Sequence, residues 1–138
     1  MNDQEKSAML ARAMGWCWRR QNKVDGFTRN WWHLLDKDKK RIKRKQVHWV
    51  TEKNDGRPVL GRWQDRSVPD LYAPENAHLA WLIHIWALSS PPIKARYYRW
   101  WKLGEGGSVW LKEDAQRIWL DKIFALVIKA GLVEVDDE

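Results

Sequence analysis

Twelve of the 138 residues are tryptophan, and no other feature limits the possible folds so strongly. Each indole carries a large apolar area and one N–H that needs a polar partner when buried. The chain is long enough for one domain with a real core, and its hydrophobic fraction of 44% is ordinary for such a domain. Most of the indoles are therefore expected in that core or at its edge, with about three or four exposed enough to act in recognition. A single cysteine, Cys17, allows no intrachain disulfide and suits a reducing cytoplasm. The first ten residues, MNDQEKSAML, are polar and lack the apolar centre of a signal peptide. The longest apolar stretch, AHLAWLIHIWAL, is too short to span a bilayer. A cytoplasmic protein without a membrane partner is expected.

Helical spacing marks the two ends of the chain. Met9, Leu10, Ala13 and Met14 share a face within residues 3–15, and Gly15 can end that helix. Residues 113–130 open on Glu113 and Asp114 and close before Gly131. In that last helix Ala115, Ile118, Trp119, Lys122 by its stem, Leu126 and Lys129 read as the stripe that meets the core. Pro74 and Glu75 introduce a further helix over 75–89, and Pro91-Pro92 stops it. This helix is apolar almost all round, which predicts packing on more than one side, with Trp81 among its core residues.

Between the first two helices the pattern changes. Aromatic and β-branched residues alternate with charge, broken by Asp25-Gly26, Asp36 to Lys39 and Asn54-Asp55-Gly56. Short antiparallel strands near 16–20, 30–35, 43–51 and 58–63 follow from this alternation. Residues 30–45 also fit a helix, since Trp31, Leu34, Leu35 and Ile42 nearly share a face. Two aromatic runs around Gly104 to Gly107 read as a hairpin over 95–111. The chain is thus expected to be α+β: one domain over 1–138, with a small antiparallel sheet and about three helices in the order α-β-β-α-β-β-α. Within it lie a basic strand region at 16–66 and an acidic tail at 134–138.

The positive charge is uneven. Residues 1–70 hold 17 Lys and Arg against 9 Asp and Glu, whereas residues 71–138 hold 8 against 9. Much of the excess is the run KKRIKRK, residues 39–45, with Trp31 and Trp32 before it and Trp49 after it. Lys39, Lys40, Arg41, Lys43, Arg44 and Lys45 would follow a nucleic-acid backbone while Trp31 or Trp32 stacks on bases. They equally suit an acidic protein surface, or a solvated hairpin tip whose charges protect a sheet edge. Side chains alternate along a strand, so one of Trp31 and Trp32 should be buried and the other should stand near the basic run. In RYYRWW, residues 96–101, a strand would put Tyr97, Arg99 and Trp101 in one row. Left open, that row would serve to bind protein or a flat ring.

Catalytic patterns are missing from the sequence. It has no G-x-S-x-G, no Cys-x-x-Cys and no H-E-x-x-H, and the glycines at 104–107 lack the Gly-Lys-Ser/Thr of a phosphate loop. His33, His48, His78 and His84 show no ligand spacing; His84, inside an apolar helix, reads as a hydrogen-bonded core residue. No paired carboxylates lie within an apolar run. A non-enzymatic protein without cofactor or metal is expected.

Met14, Gly15 and Trp16 close the first helix as Met-Gly-Trp. Pro69 and Tyr72 lead into a helix holding Ala80 and Trp81, and Ala115 and Arg117 open the last one. In these points the chain resembles small α/β/α-sandwich proteins of phages and prophages. It departs from them at the proline and central alanines of the last helix, and in an expanded segment 36–62. The resemblance supplies no catalytic residue. It implies a small accessory protein acting in the bacterial cytoplasm by binding a host protein, such as a component of a defence system, in the manner of anti-CRISPR proteins. Binding of nucleic acid, or sequestering of a nucleotide signal between aromatic and basic residues, are the alternatives.

Overall fold

The computed structural model describes residues 1–20, 31–46, 68–103 and 113–133. The first helix, α1 (Asp3–Ala13), starts where the Asn2 side chain accepts the Glu5 N–H and stops at Gly15. Gly15 has φ +79°; its N–H bonds to Arg12 O, and that of Trp16 to Ala11 O. Only a residue at ease in the left-handed region closes a helix this way. Strands β1 (Cys17–Arg20), β2 (Trp31–Leu35) and β3 (Arg41–Gln46) follow as a three-stranded antiparallel sheet in sequence order. The helical alternative for 30–45 is thereby excluded. Trp18 stands opposite Leu34, and Arg20 opposite Trp32, so Trp18, Trp32 and Leu34 share one face. All three are fully buried.

After an irregular segment at 68–73 and a 3-10 turn (Pro74–Asn76), the chain runs through α2 (Ala77–Ser89), α3 (Lys94–Leu103) and α4 (Ala115–Lys129). Helix α2 packs against both α3 and α4, and α4 also meets α1. One hydrophobic cluster joins Leu10 and Met14 of α1, the sheet's Trp18 and Trp32, Leu71, and Ile83, Tyr97 and Ile123 of the later helices. Gly131, at φ +71°, closes α4 as Gly15 closes α1. The architecture is α+β as expected, but among the described residues its order is α-β-β-β-α-α-α.

Three expectations need correction. The first arm of the hairpin expected at 95–111 is helix α3. Tyr and Trp favour strands only where a pleated neighbour exists to pack against. Here Tyr97, Trp100 and Trp101, at i, i+3 and i+4, turn toward one side, where Tyr97 and Trp101 meet α2. Helix α2 packs against both α3 and α4, as a helix apolar on more than one side should, and buries Leu79, Ala80, Ile83, His84 and Ala87, but its outer face is exposed. Trp81, expected in the core, is 46% exposed. In α4 Trp119 and Leu126 of the expected stripe are buried and Ala115 and Ile118 pack against the core, but the deepest residues, Leu120, Ile123 and Val127, lie about a third of a turn to one side. The Lys122–Leu126–Lys129 side looks instead into a groove beside α3. The remaining hairpin residues, the strand expected at 58–63, the end of that at 43–51 and the acidic tail lie outside the described residues.

His84 is buried within α2, and its Nδ1 lies 2.6 Å from the Tyr97 hydroxyl. In the neutral imidazole Nδ1 can accept that O–H. The rings of Tyr97, Trp101 and Trp119 meet it edge-on with centroids 5.5, 5.0 and 5.4 Å away, and Trp81 lies tilted at 5.0 Å. It is a hydrogen-bonded core histidine, as its apolar setting in the sequence suggests. Burial pushes the imidazole below its ordinary value and the Tyr97 phenol above its own.

Two outcomes follow from this core. Trp119→Ala should cost about 3–5 kcal/mol, whereas Trp81→Ala should cost about 1 kcal/mol because nearly half of its surface is already wet. Denaturant titration of both variants checks the order. For His84, the charged form is disfavoured only in the folded state. Stability is therefore complete above the unfolded value of about 6.5 and falls as pH drops from there toward the lowered folded value. A melting temperature followed from pH 8 to pH 5 should begin to fall near 6.5, and His84→Gln should remove that part of the slope.

Candidate binding surfaces

Three surfaces stand apart from the core. The first is the β2–β3 tip. The Asp36 carboxylate accepts the backbone N–H groups of Asp38 and Lys40, both at 2.9 Å, and the Asp36 carbonyl accepts that of Lys39 at 3.0 Å. The turn brings Lys39 to φ 64°, a position at which three-residue hairpin loops usually place glycine. Past it, Leu35 stands opposite Arg41 and Leu34 opposite Lys43. Ile42 is thus the extra residue of a bulge, and it packs on the core cluster. Lys37, Lys39, Lys40, Arg41 and Lys43 are all exposed. In the sheet as described, β3 is an outer strand, so these charges also discourage pairing with another chain.

The second is the outer face of α2, where Trp81, Leu82 and Ile85 are 46–48% exposed. The third is a groove of about 710 Å³ between α3 and α4. Arg96 and Arg99 border it from α3, and Lys122 and Lys129 from α4. Trp100, Ala95 and Leu103 of α3 and Leu126 of α4 also line it. Among the described residues, none that lines it is acidic. Trp100 stacks on the buried Tyr97, with centroids 5.8 Å apart and planes at 26°, which fixes the indole. The Lys122 ammonium lies 6.0 Å from the Trp100 ring centre.

The expected binding residues divide among these places. Lys39, Lys40, Arg41 and Lys43 gather at the tip. Arg44 and Lys45 continue β3 opposite His33 and Trp32; their side chains, that of Trp31, and Trp49 lie outside the described residues. Trp32 is buried, so it anchors the hairpin and cannot meet a partner. The expected row of Tyr97, Arg99 and Trp101 does not form. On a helix these residues diverge: Tyr97 is buried, Trp101 is half-buried against His84, and only Arg99 is exposed. Arg96, Trp100, Lys122 and Lys129 were missed as site residues. Reading RYYRWWKL with helical spacing would have grouped Arg96, Arg99 and Trp100, at i, i+3 and i+4, on one side.

Acidic groups elsewhere serve the scaffold. Asp121 accepts the Tyr72 O–H at 2.8 Å and pairs with Lys6 at 3.2 Å. Asp3 holds Arg117 through two bonds of 3.0 and 2.6 Å, and that guanidinium keeps the Asp3 carboxyl below the usual range. Among the described residues, no cluster of His, Cys, Asp and Glu is arranged to hold a metal ion, and no helix is long and apolar enough to cross a membrane.

The turn geometry makes a direct forecast. Lys39→Gly relieves a left-handed conformation that costs an L side chain about 1–2 kcal/mol, partly offset by the greater freedom of glycine when unfolded. The variant should be more stable by about 0.5–1 kcal/mol in urea denaturation; a less stable variant would mean that the Lys39 side chain braces the turn.

No protein-family model matches the sequence, and comparison with curated proteins and with solved structures finds no match. The likeness to phage accessory proteins therefore rests on the short motifs in the sequence alone.

Proposed function

We propose that this chain is a non-enzymatic binding protein whose partner is an acidic protein. The observation that carries this reading is the outer face of α2. An exposed stripe of Trp81, Leu82 and Ile85 on one well-packed helix is unusual for a surface that meets only water, and it has the chemistry of an interface centre. The basic tip and the excess of positive charge in the first half of the sequence set the sign of the partner and would speed encounter with it. Nucleic acid would use the tip but has little use for the aliphatic part of the stripe. In the setting implied by the sequence resemblance, the partner is a bacterial host protein of a defence system, and binding inhibits it in the bacterial cytoplasm.

The test is capture by the tagged full chain from bacterial lysate, with and without nuclease. A bound protein should survive nuclease, be lost with Ile85→Asp, and be weakened by the pair Lys40→Ser and Arg41→Ser, with the difference from the parent shrinking at high salt. Both variants change exposed positions and should melt within a few degrees of the parent. Loss of the captured band on nuclease treatment, or retention by Ile85→Asp, would reject the proposal.

A further inference from the structure

The α3–α4 groove plays no part in that reading, and its chemistry points elsewhere. Helix α3 carries Lys94, Arg96, Arg99 and Lys102 without an acidic residue. Two of these cations border the groove, and α4 adds Lys122 and Lys129. Among the described residues, Arg96, Arg99 and Lys129 enter no ion pair. Four like charges around one concavity repel one another and raise its affinity for a compact anion. The volume of about 710 Å³ lies within the range of small-ligand sites. A free phosphate would leave most of that space empty. An acidic peptide would have to converge four carboxylates on a single groove.

We infer that the groove binds a nucleoside di- or triphosphate. At neutral pH such a ligand carries a charge of about −3 to −4 in one short chain, which matches the four cations. Arg96 and Arg99 offer guanidinium forks that pair with phosphate oxygens through two bonds at once. Lys122 and Lys129 act as point charges from the opposite wall. Trp100, held from behind by Tyr97, supplies a fixed shelf for the base, with Leu126 beside it. Lys122 lies 6.0 Å from the indole centre, at the outer limit of a cation–π contact. Its flexible stem can release the ring to the base and carry the ammonium to a phosphate. No covalent step is involved: the site binds and holds.

Calorimetric titration of the full chain with each of the four ribonucleoside triphosphates, tripolyphosphate and a short oligothymidylate tests this. At low salt at least one nucleotide should bind with one molecule per chain, more tightly than tripolyphosphate. Arg99→Gln and Lys129→Gln should each weaken it roughly ten-fold, with unchanged melting temperature because both side chains are exposed. Tripolyphosphate binding as tightly as every nucleotide would overturn the inference, since the indole would then add nothing. So would tighter binding of the oligothymidylate, nucleotide binding unaffected by both groove variants, or no binding at low salt. These variants lie off the α2 face and the sheet tip, so the groove and the protein-binding surface can fail separately.

Discussion

The segment at 68–73 has no regular structure, yet Val68, Leu71 and Tyr72 are buried in the core. Its backbone N–H and C=O groups have no ladder or helix to satisfy them, and left unpaired each would cost about 1–3 kcal/mol. Three side chains from two helices reach it from outside, beside the local bonds of Asp70 and Asn76. Gln4 of α1 donates to the Val68 carbonyl at 2.7 Å, and the Ser7 hydroxyl accepts the Leu71 N–H at 2.9 Å. Gln116 of α4 donates to the carbonyls of Leu71 and Ala73 at 2.7 and 3.0 Å. Ser7 is itself buried and donates to Asp3 O one turn back, so its single hydroxyl closes the link in both directions. The Lys6–Asp121–Tyr72 contacts and the Asp3–Arg117 pair join the same three elements closer to solvent. There screening keeps ion pairs weak. The buried amide and hydroxyl bonds are the part on which the arrangement of α1, α4 and the start of α2 depends.

With the segment fixed, α2 enters between α3 and α4 with its rotation already set. The side holding Ile83 and Ala87 faces the core, and His84 falls among Tyr97, Trp101 and Trp119. A histidine there orients the packing as an aliphatic residue could not, since its bond to Tyr97 fixes both ring and phenol. The same rotation turns Trp81, Leu82 and Ile85 outward. The exposed stripe is therefore a direct consequence of how the core is specified, on a helix with too many apolar residues for a single buried face.

That surplus explains where the sequence could and could not be read. Helix ends were legible because they rest on local chemistry: Gly15, Pro74 and Gly131 act within their own turn. Strands β1 and β2 and the turn at Asp36 were legible because alternation and an aspartate in a tight turn are also local signals. The buried side of α2 was not, because an all-round apolar helix has no period that distinguishes its faces. Helix α3 was misread for a related reason. Its aromatics fit a period of two through Tyr97, Arg99 and Trp101, and a helical one through Tyr97, Trp100 and Trp101. Only the packing of those rings beside His84 decides between them. The basic tip could be found in advance because its charges are contiguous in the chain, whereas the groove is assembled from two helices.

Net charge concealed the groove as well. The second half of the sequence is nearly neutral, and an average over it suggests no preference for anions. The neutrality comes from segregation. In the sequence Glu113 and Asp114 precede α4 and four acids fall at 134–138, and Asp121 turns to Lys6 and Tyr72, while α3 carries cations only. Over the roughly 8–10 Å within which charges act in physiological salt, what matters is which side chains the fold brings together. Counted that way the described residues form two basic regions of different character. The convex tip of β2–β3 spreads its charges on flexible stems into solvent, where they steer and screen. The concave groove sets its charges around a fixed indole, and that geometry favours one compact, flat and highly charged ligand over an extended one.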